Sequence, residues 1–211
     1  VINLEDHRAI VIDVGPDPIL EDKCLRQLGI TEIPLLILSH FHADHVGGLS
    51  GLLKGRKVSQ VWISNNREPQ IESTLSLAAL NASEIITVQQ GLIADVGQVK
   101  IEVLWPEANL RNFEELPGEG SAINNSSIAV VATTSSWSLF AAGDLEPPAQ
   151  HELINRVGEV DIYKVCHHGS KYQDEGLMRA LSAQIALISV GAGNPYGHPA
   201  PESIDSLTRL G

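Results

Sequence analysis

An α/β layered fold is predicted by three features of the 211-residue sequence. Short β-rich runs alternate with stretches of helical spacing along the chain, the pattern of helices packed on sheets. Aliphatic runs such as Ile33–Leu38 have strand length and fall far below the ~20 apolar residues of a membrane span. Hydrophobic residues make up 43% and charged residues 19%, which suits a packed core and excludes wholesale disorder.

The elements follow in order. Ala9–Val14 reads as a strand ended by Gly15-Pro16, and Ile19–Leu28 as a helix stopped at Gly29. Leu35–Ser39 is a strand of the buried type, and His45–Leu53 a short helix in spite of its glycines. Val58–Ser64 reads as a strand and Ile71–Leu80 as an amphipathic helix. Glu84–Leu104 holds two or three strands with a turn at Asp95-Val96-Gly97. Glu107–Gly120 is polar, acidic and glycine-bearing, the mark of a long surface loop. Ser127–Thr133 and Trp137–Ala142 form a hairpin around Thr134-Ser135-Ser136. A helix (Pro148–Val157), a strand (Val160–Cys166), a helix near Glu175–Leu181, a strand (Ile185–Val190) and a closing helix (Glu202–Leu210) complete the chain. No repeat or linker divides it, so residues 1–211 read as one domain. Both ends are abrupt, which predicts a piece of a longer protein, lacking some terminal strands.

Fourteen basic against 26 acidic residues give a net charge of −12. That excludes a broad basic phosphate-binding surface but not a phosphate site built on divalent cations. Cys24 and Cys166 are too few and too scattered for a disulfide framework. No signal peptide is visible.

Four segments carry chemistry, each placed after an apolar strand. The first is Ser39-His40-Phe41-His42-Ala43-Asp44-His45. Imidazole nitrogen and carboxylate oxygen are the usual ligands of zinc and similar ions. In an extended turn His40 and His42 point the same way and share one ion, while Asp44 and His45 lie beyond the bend and reach a second. A solvated His-rich loop is the plain alternative. Gly47-Gly48 permit close approach of the following helix. The second segment, Ala141-Ala142-Gly143-Asp144, places a carboxylate where it bridges two ions, unless Asp144 is an ordinary turn residue. Glu146 is an auxiliary ligand or an acid at a helix start. The third is His167-His168-Gly169-Ser170, with His168 completing the second ion's site and His167 donating to substrate or orienting a ligand. The fourth is Asn194-Pro195-Tyr196-Gly197-His198-Pro199, where His198 binds a phosphate oxygen, serves as a general acid, or merely fills a local pocket.

Ser-His-x-His-x-Asp-His, then Gly-Asp, then a further His at the next strand end resemble the metallo-β-lactamase superfamily over nearly the whole chain. Ile12–Pro16, Leu38–Leu49, Asn124–Ser127, Gly143–Glu146, Lys164–Ser170, Ser189–Gly191 and Tyr196–Pro199 are most similar to the metallo-β-lactamase-like domain of the ComEC family of DNA-internalisation competence proteins. The resemblance implies a four-layer αββα sandwich with two divalent ions, zinc or manganese, at one edge of facing sheets. It implies a cell-membrane protein whose membrane-channel portion lies in the same chain. The domain is expected on the extracytoplasmic face, without lipid contact of its own. The implied activity is two-metal hydrolysis of the DNA strand that is not imported, with single-stranded DNA as partner. On that expectation His40, His42, Asp44, His45, Asp144 and His168 hold metal, and Asp44, His167 and His198 are the catalytic candidates. Asn125, Ser170 and His198 contact substrate, and Asp13 orients a metal-binding histidine. Lys54, Arg56 and Lys57, with Lys164 and Lys171 beside the His-His pair, are read as solvated rather than phosphate-binding. Three departures stand out, one being that no membrane segment is present. No histidine precedes Ser127–Thr133, where the superfamily often has one, and Asn125 is the candidate substitute. The Asp-Val-Gly-Gln-Gly-Asp-like segment expected ahead of Asp13 is missing. The alternatives are a small-molecule metallo-hydrolase, which the acidic charge suits, and a degenerate docking domain.

Overall fold

The computed structural model describes residues 1–109, 113, 116 and 120–210. Two sheets face one another. The first has the order β1 (Ile2–Asn3), β2 (Arg8–Ile12), β3 (Glu32–Leu38), β4 (Lys57–Ile63), β5 (Glu84–Thr87). β1 joins it antiparallel, and the rest run parallel. The second begins at one edge with β6 (Ile93–Val96), followed by β7 (Val99–Trp105), β8 (Ala129–Thr133), β9 (Ser138–Ala141), β10 (Ile162–Lys164) and β11 (Ile185–Leu187). It is antiparallel through β9 and parallel from β9 to β11.

Side-chain alternation along the strands builds the layers. On β3, Leu35 and Ile37 face the second sheet and pack with Ile10, Trp62, Val103 and Val130. Their neighbours Leu36 and Leu38 face outward, against Leu25 of helix α1 (Pro18–Gln27) and Leu49 and Leu52 of α3 (Leu49–Leu52). Because both faces of β3 are covered, its sequence is continuously apolar rather than alternating. A third cluster lies outside the second sheet. There Phe140 and Tyr163 meet Leu153 of α6 (Pro147–Leu153) and Leu177 and Leu181 of α7 (Glu175–Leu181). Three apolar clusters between four layers give the αββα sandwich.

Local chemistry sets the helix starts. Asp17 caps α1 by accepting from the backbone N–H of Ile19 (2.7 Å) and Leu20 (3.2 Å), with Pro18 next to it. Asp174 caps α7 in the same way, through Gly176 and Leu177. The sequence places one helix at His45–Leu53. The chain instead forms two four-residue helices, α2 (Ala43–Val46) and α3, on either side of Gly47-Gly48. A Cβ on Gly48 would lie 2.0 Å from the Val14 carbonyl oxygen, so the segment is bent to pass against the loop after β2. Arg56 is not solvated. Its guanidinium bonds Asp22 and the carbonyls of Ile30, Gly51 and Leu52, tying α1 to α3, while Lys54 lies 3.3 Å from the same aspartate.

Other boundaries move for physical reasons. The 160–166 and 185–190 segments are strands only over β10 and β11, because their C-terminal ends leave the sheet to shape the site. The turn of the β6–β7 hairpin is Gly97-Gln98, and β6 continues through Val96. The short strand β1 and helix α5 (Ser121–Asn124) carry no sequence pattern long enough to read. Helix α4 (Gln70–Ala79) and closing helix α8 (Pro201–Leu210) stand where the periodicity places them. Most of the expected 107–120 loop lies outside the described residues. No helix among the described residues is long and apolar enough to cross a membrane.

Candidate metal centre

The chemistry-bearing segments leave their strands at one rim. The ends of β2 and β3 supply Asp13 and Ser39–His45, the end of β9 supplies Gly143-Asp144, and the end of β10 supplies His167-His168. Backbone conformation aims several of these side chains. Asp13, His167 and His168 have φ of 55°, 48° and 53°, the left-handed region that non-glycine residues enter at a cost. A hydrogen bond from the His167 N–H to the Gly143 carbonyl (3.1 Å) holds the His-His turn against the Asp144 turn.

Asp44, His45, Asp144 and His168 bring one ligand atom each within 4.8 Å of one another, the one such cluster among the described residues. His45 Nε2 lies 3.2 Å from His168 Nε2 and 3.2 Å from Asp144 Oδ1. His168 Nε2 is 3.4 Å from Asp44 Oδ2 and 3.5 Å from Asp144 Oδ2. A tetrahedral ion with bonds of about 2.0–2.1 Å spaces its donors about 3.3 Å apart, so these are the edge lengths of a coordination shell. Asp144 Oδ1 is buried without a well-aligned hydrogen bond, and its neighbour His45 Nε2 satisfies it only as a protonated imidazole or through a shared cation. The donor set fits a divalent metal.

The surroundings fix each ligand's tautomer. The Asp13 carboxylate accepts from His45 Nδ1 (2.8 Å) and from the N–H and hydroxyl of Ser39 (2.7 and 2.8 Å). The Ser189 carbonyl accepts from His168 Nδ1 at 2.7 Å. Both Nε2 atoms are therefore turned toward the cluster. Asp13 performs the orienting task the sequence suggests, whereas Ser189 carries no signal that its backbone oxygen would be used.

Electrostatics tell the same story. Burial pushes His45 down, but the charges of Asp144 and Asp13 outweigh it and hold the imidazole well above its usual range. Burial likewise opposes ionisation of His168, yet hydrogen bonds to Asp144 and Asp44 raise it to about 9. Burial raises Asp44 and Asp144, and the neighbouring histidines overcome it and keep both below the ordinary carboxylate range. Three carboxylates around two imidazoles thus demand positive charge, from protons or from a cation.

His40 and His42 form a neighbouring pair, His40 Nε2 to His42 Nδ1 at 3.0 Å. The His40 ring sits 4.0 Å from that of His45. Burial drives both His40 and His42 down, which favours the neutral form that a metal ligand needs. Ser39 and Ser127 hydroxyls flank His40 Nδ1 at 3.1 and 3.2 Å. A Cβ on Gly120 would lie 2.7 Å from the His42 ring, so backbone covers that face.

The remaining candidates separate. Asn125 is buried, and its Oδ1 accepts from the Glu146 N–H at 3.0 Å, a structural bond. Ser170 is buried, with its hydroxyl accepting from the Tyr172 N–H at 3.2 Å. His167 stands between Asp144 Oδ2 and Glu146 Oε1, 3.8 Å from each. Glu146 is buried rather than exposed and bonds Asn124 Nδ2 at 3.1 Å. His198 packs edge-on to His167, with ring centroids 5.7 Å apart. A cavity of about 480 Å³ reaches the cluster, lined there by Asp13, Asp44, His45, Lys164, His168 and Ser189.

Gly143 makes this rim possible. Its φ is +51°, and a Cβ there would lie 2.6 Å from Ser39 Oγ and 2.8 Å from Ser127 Cβ. Gly143→Ala is expected to cost about 2–4 kcal/mol, combining left-handed strain with overpacking. Urea unfolding checks this, and an unchanged midpoint overturns it.

ComE operon protein 3 of Bacillus subtilis is 33% identical over 186 residues, 86% of this chain. Recombination protein 2 of Haemophilus influenzae is 27% identical over 176 residues, 82% of the chain. The chain spans only 23% and 20% of the length of these two relatives. The crystal structure of Zn(2+)-bound PqqB from Methylobacterium extorquens superposes with a TM-score of 0.61, covering all of this chain and 82% of that one at 11% identity. At that identity the likeness shows the fold alone. The sequence profile of the metallo-β-lactamase superfamily matches residues 1–191. With the αββα layers and the rim of imidazoles and carboxylates, that match establishes that the chain belongs to the metallo-β-lactamase superfamily.

Proposed function

We propose that the chain is a metal-dependent phosphodiesterase that cleaves single-stranded DNA, degrading the strand that is not imported during competence-related DNA uptake. The observation that supports it best is the Asp44–His45–Asp144–His168 cluster, whose donor spacing matches a metal shell. The competence-protein relatives supply the setting. In the same reading residues 1–211 are one domain of a longer membrane protein and act on its extracytoplasmic face.

Asp44, His45 and His168 would hold one divalent ion, His40 and His42 a second, with Asp144 between them. Zinc or manganese bound there supplies an activated water nucleophile and neutralises charge on the phosphoryl oxygens. The chain's own residues do the positioning. Asp13 and Ser189 lock the Nε2 atoms of His45 and His168 inward. Asp144 presents one oxygen to each of these two imidazoles. His167 lies 3.8 Å from Asp144 Oδ2 and His198 packs against it, and from there an imidazole N–H would donate to a phosphoryl oxygen or to the leaving alkoxide. Asn125 and Ser170 act behind the site, holding its loops.

The test is cleavage of single- and double-stranded DNA across a manganese and zinc series. Metal-dependent cleavage by wild type, lost in Asp144→Ala, is expected. Equal background cleavage by both proteins in every metal overturns the reading. The charge of −12 favours a second reading, hydrolysis of a small neutral substrate. Strong turnover of chromogenic esters or diesters with none of DNA would select it.

A further inference from the structure

We propose that Tyr196 is a stacking platform for a nucleobase of the single-stranded DNA, at the solvent end of an aromatic row that begins at the metal centre. This rests on the nuclease reading and names how its substrate is gripped. Tyr196 is 77% exposed, the most exposed of the aromatic and large aliphatic side chains among the described residues. Exposure alone is ordinary, but this ring is held. Asn194 Oδ1 accepts from the N–H groups of Tyr196 (3.2 Å) and His198 (3.1 Å), and its Nδ2 donates to the His198 carbonyl at 2.7 Å. The base of the loop is tied to the His-His turn by the Ala200 N–H, which donates to the Gly169 carbonyl at 2.8 Å.

These bonds engage the loop's backbone and leave the tyrosine ring free on its outer face. Its inner face stacks on His198, with centroids 6.1 Å apart and planes at 24°. His198 meets His167 at 5.7 Å, and His167 lies 6.5 Å from the ring of His168. An aromatic row therefore runs from the metal cluster to solvent, ending in a flat face. Any base can stack there, because every base has a π-face.

The net charge gives the platform its purpose. With 26 acidic against 14 basic residues, the sequence offers no broad basic surface for the counterion release that drives most nucleic-acid binding. Contacts to bases, which do not depend on phosphate charge, would add affinity beyond what a metal-held phosphate supplies. Unstacked single strands offer such faces, and a paired duplex does not.

The experiment is fluorescence anisotropy of the whole 211-residue chain with a labelled oligodeoxythymidylate and an abasic strand of equal length. Wild type is expected to prefer the base-bearing strand by about 5- to 100-fold, with a preference that changes little with salt. Tyr196→Ala is expected to erase the preference, and Tyr196→Trp to retain it. Tyr196 is a surface residue, so both variants should unfold at the wild-type temperature. If Tyr196→Ala keeps the full preference, or wild type shows none, the platform is disproved. A Tyr196-dependent preference in a protein that cleaves no DNA in any metal upholds the platform and overturns the nuclease reading instead.

Discussion

Asp144→Ala is expected to lower metal-dependent hydrolysis by at least about 100- to 1000-fold, the scale on which one preorganised electrostatic group contributes to catalysis. The side chain is buried at the point where both halves of the site meet. Its Oδ1 faces His45 and its Oδ2 faces His168 and, at 3.8 Å, His167. No other carboxylate among the described residues approaches all three imidazoles. Loss of the carboxylate removes a ligand from the proposed shell and a negative charge that keeps His45 and His168 in position. Folding should suffer much less. Buried imidazoles deprived of a counter-charge release their protons rather than remain charged, and Asp13 still holds His45. Asp144→Asn separates the two roles, since it keeps shape and loses charge. Atomic absorption on protein purified without chelator gives the readout, with reduced metal content expected in both variants. Wild-type metal content and hydrolysis in Asp144→Asn would show that the carboxylate is not a ligand.

Much of the fold and of this site is legible in the sequence because both rest on short-range rules. The run Leu35–Leu38 is continuously apolar, so it must be a strand covered on both faces, and the histidines that follow it must emerge at the sheet's end. Alternation from His40 to His42 places that pair together, as the 3.0 Å contact shows. What stays illegible depends on contacts between distant segments. Gly47 and Gly48 signal a close approach, but not that the partner is the loop after β2, and that loop breaks the helix in two. Ser127 and Ser189 act through a hydroxyl and a carbonyl that any serine possesses, and only the assembled sandwich brings them to His40 and His168. In the sequence Glu146 reads as an auxiliary ligand or as a solvent-exposed acid at a helix start. It is buried because Asn124 and Asn125, about twenty residues earlier, fold back to bond it. Asn125, the apparent stand-in for a missing histidine, spends its acceptor oxygen on that backbone.

Metal affinity and the stability of the chelator-treated protein are expected to respond to pH in opposite directions between pH 7 and 9. His168 is raised from 6.5 to about 9 by Asp144 and Asp44 against the opposing effect of burial. Without a competing cation its proton therefore stabilises the fold fully below about pH 6.5, and that contribution is lost as pH rises through about 9. His45, also raised, adds to the same trend. The depressed Asp44 and Asp144 contribute in the other direction, losing their stabilisation only in acid, below the ordinary carboxylate range. A metal ion needs the lone pair that the His168 proton occupies, so binding must expel that proton. Each proton displaced steepens the affinity by up to about tenfold per pH unit below the group's pKa and less as that pKa is reached, so zinc should bind about 50-fold more tightly at pH 9 than at pH 7 through His168 alone. Competition with a fluorescent chelator at several pH values measures the slope. Calorimetry in buffers of different ionisation enthalpy counts the protons released. Thermal melts of the chelated protein should meanwhile shift to lower temperature over the same interval. A pH-independent affinity with no proton release would mean that zinc binds away from His45 and His168.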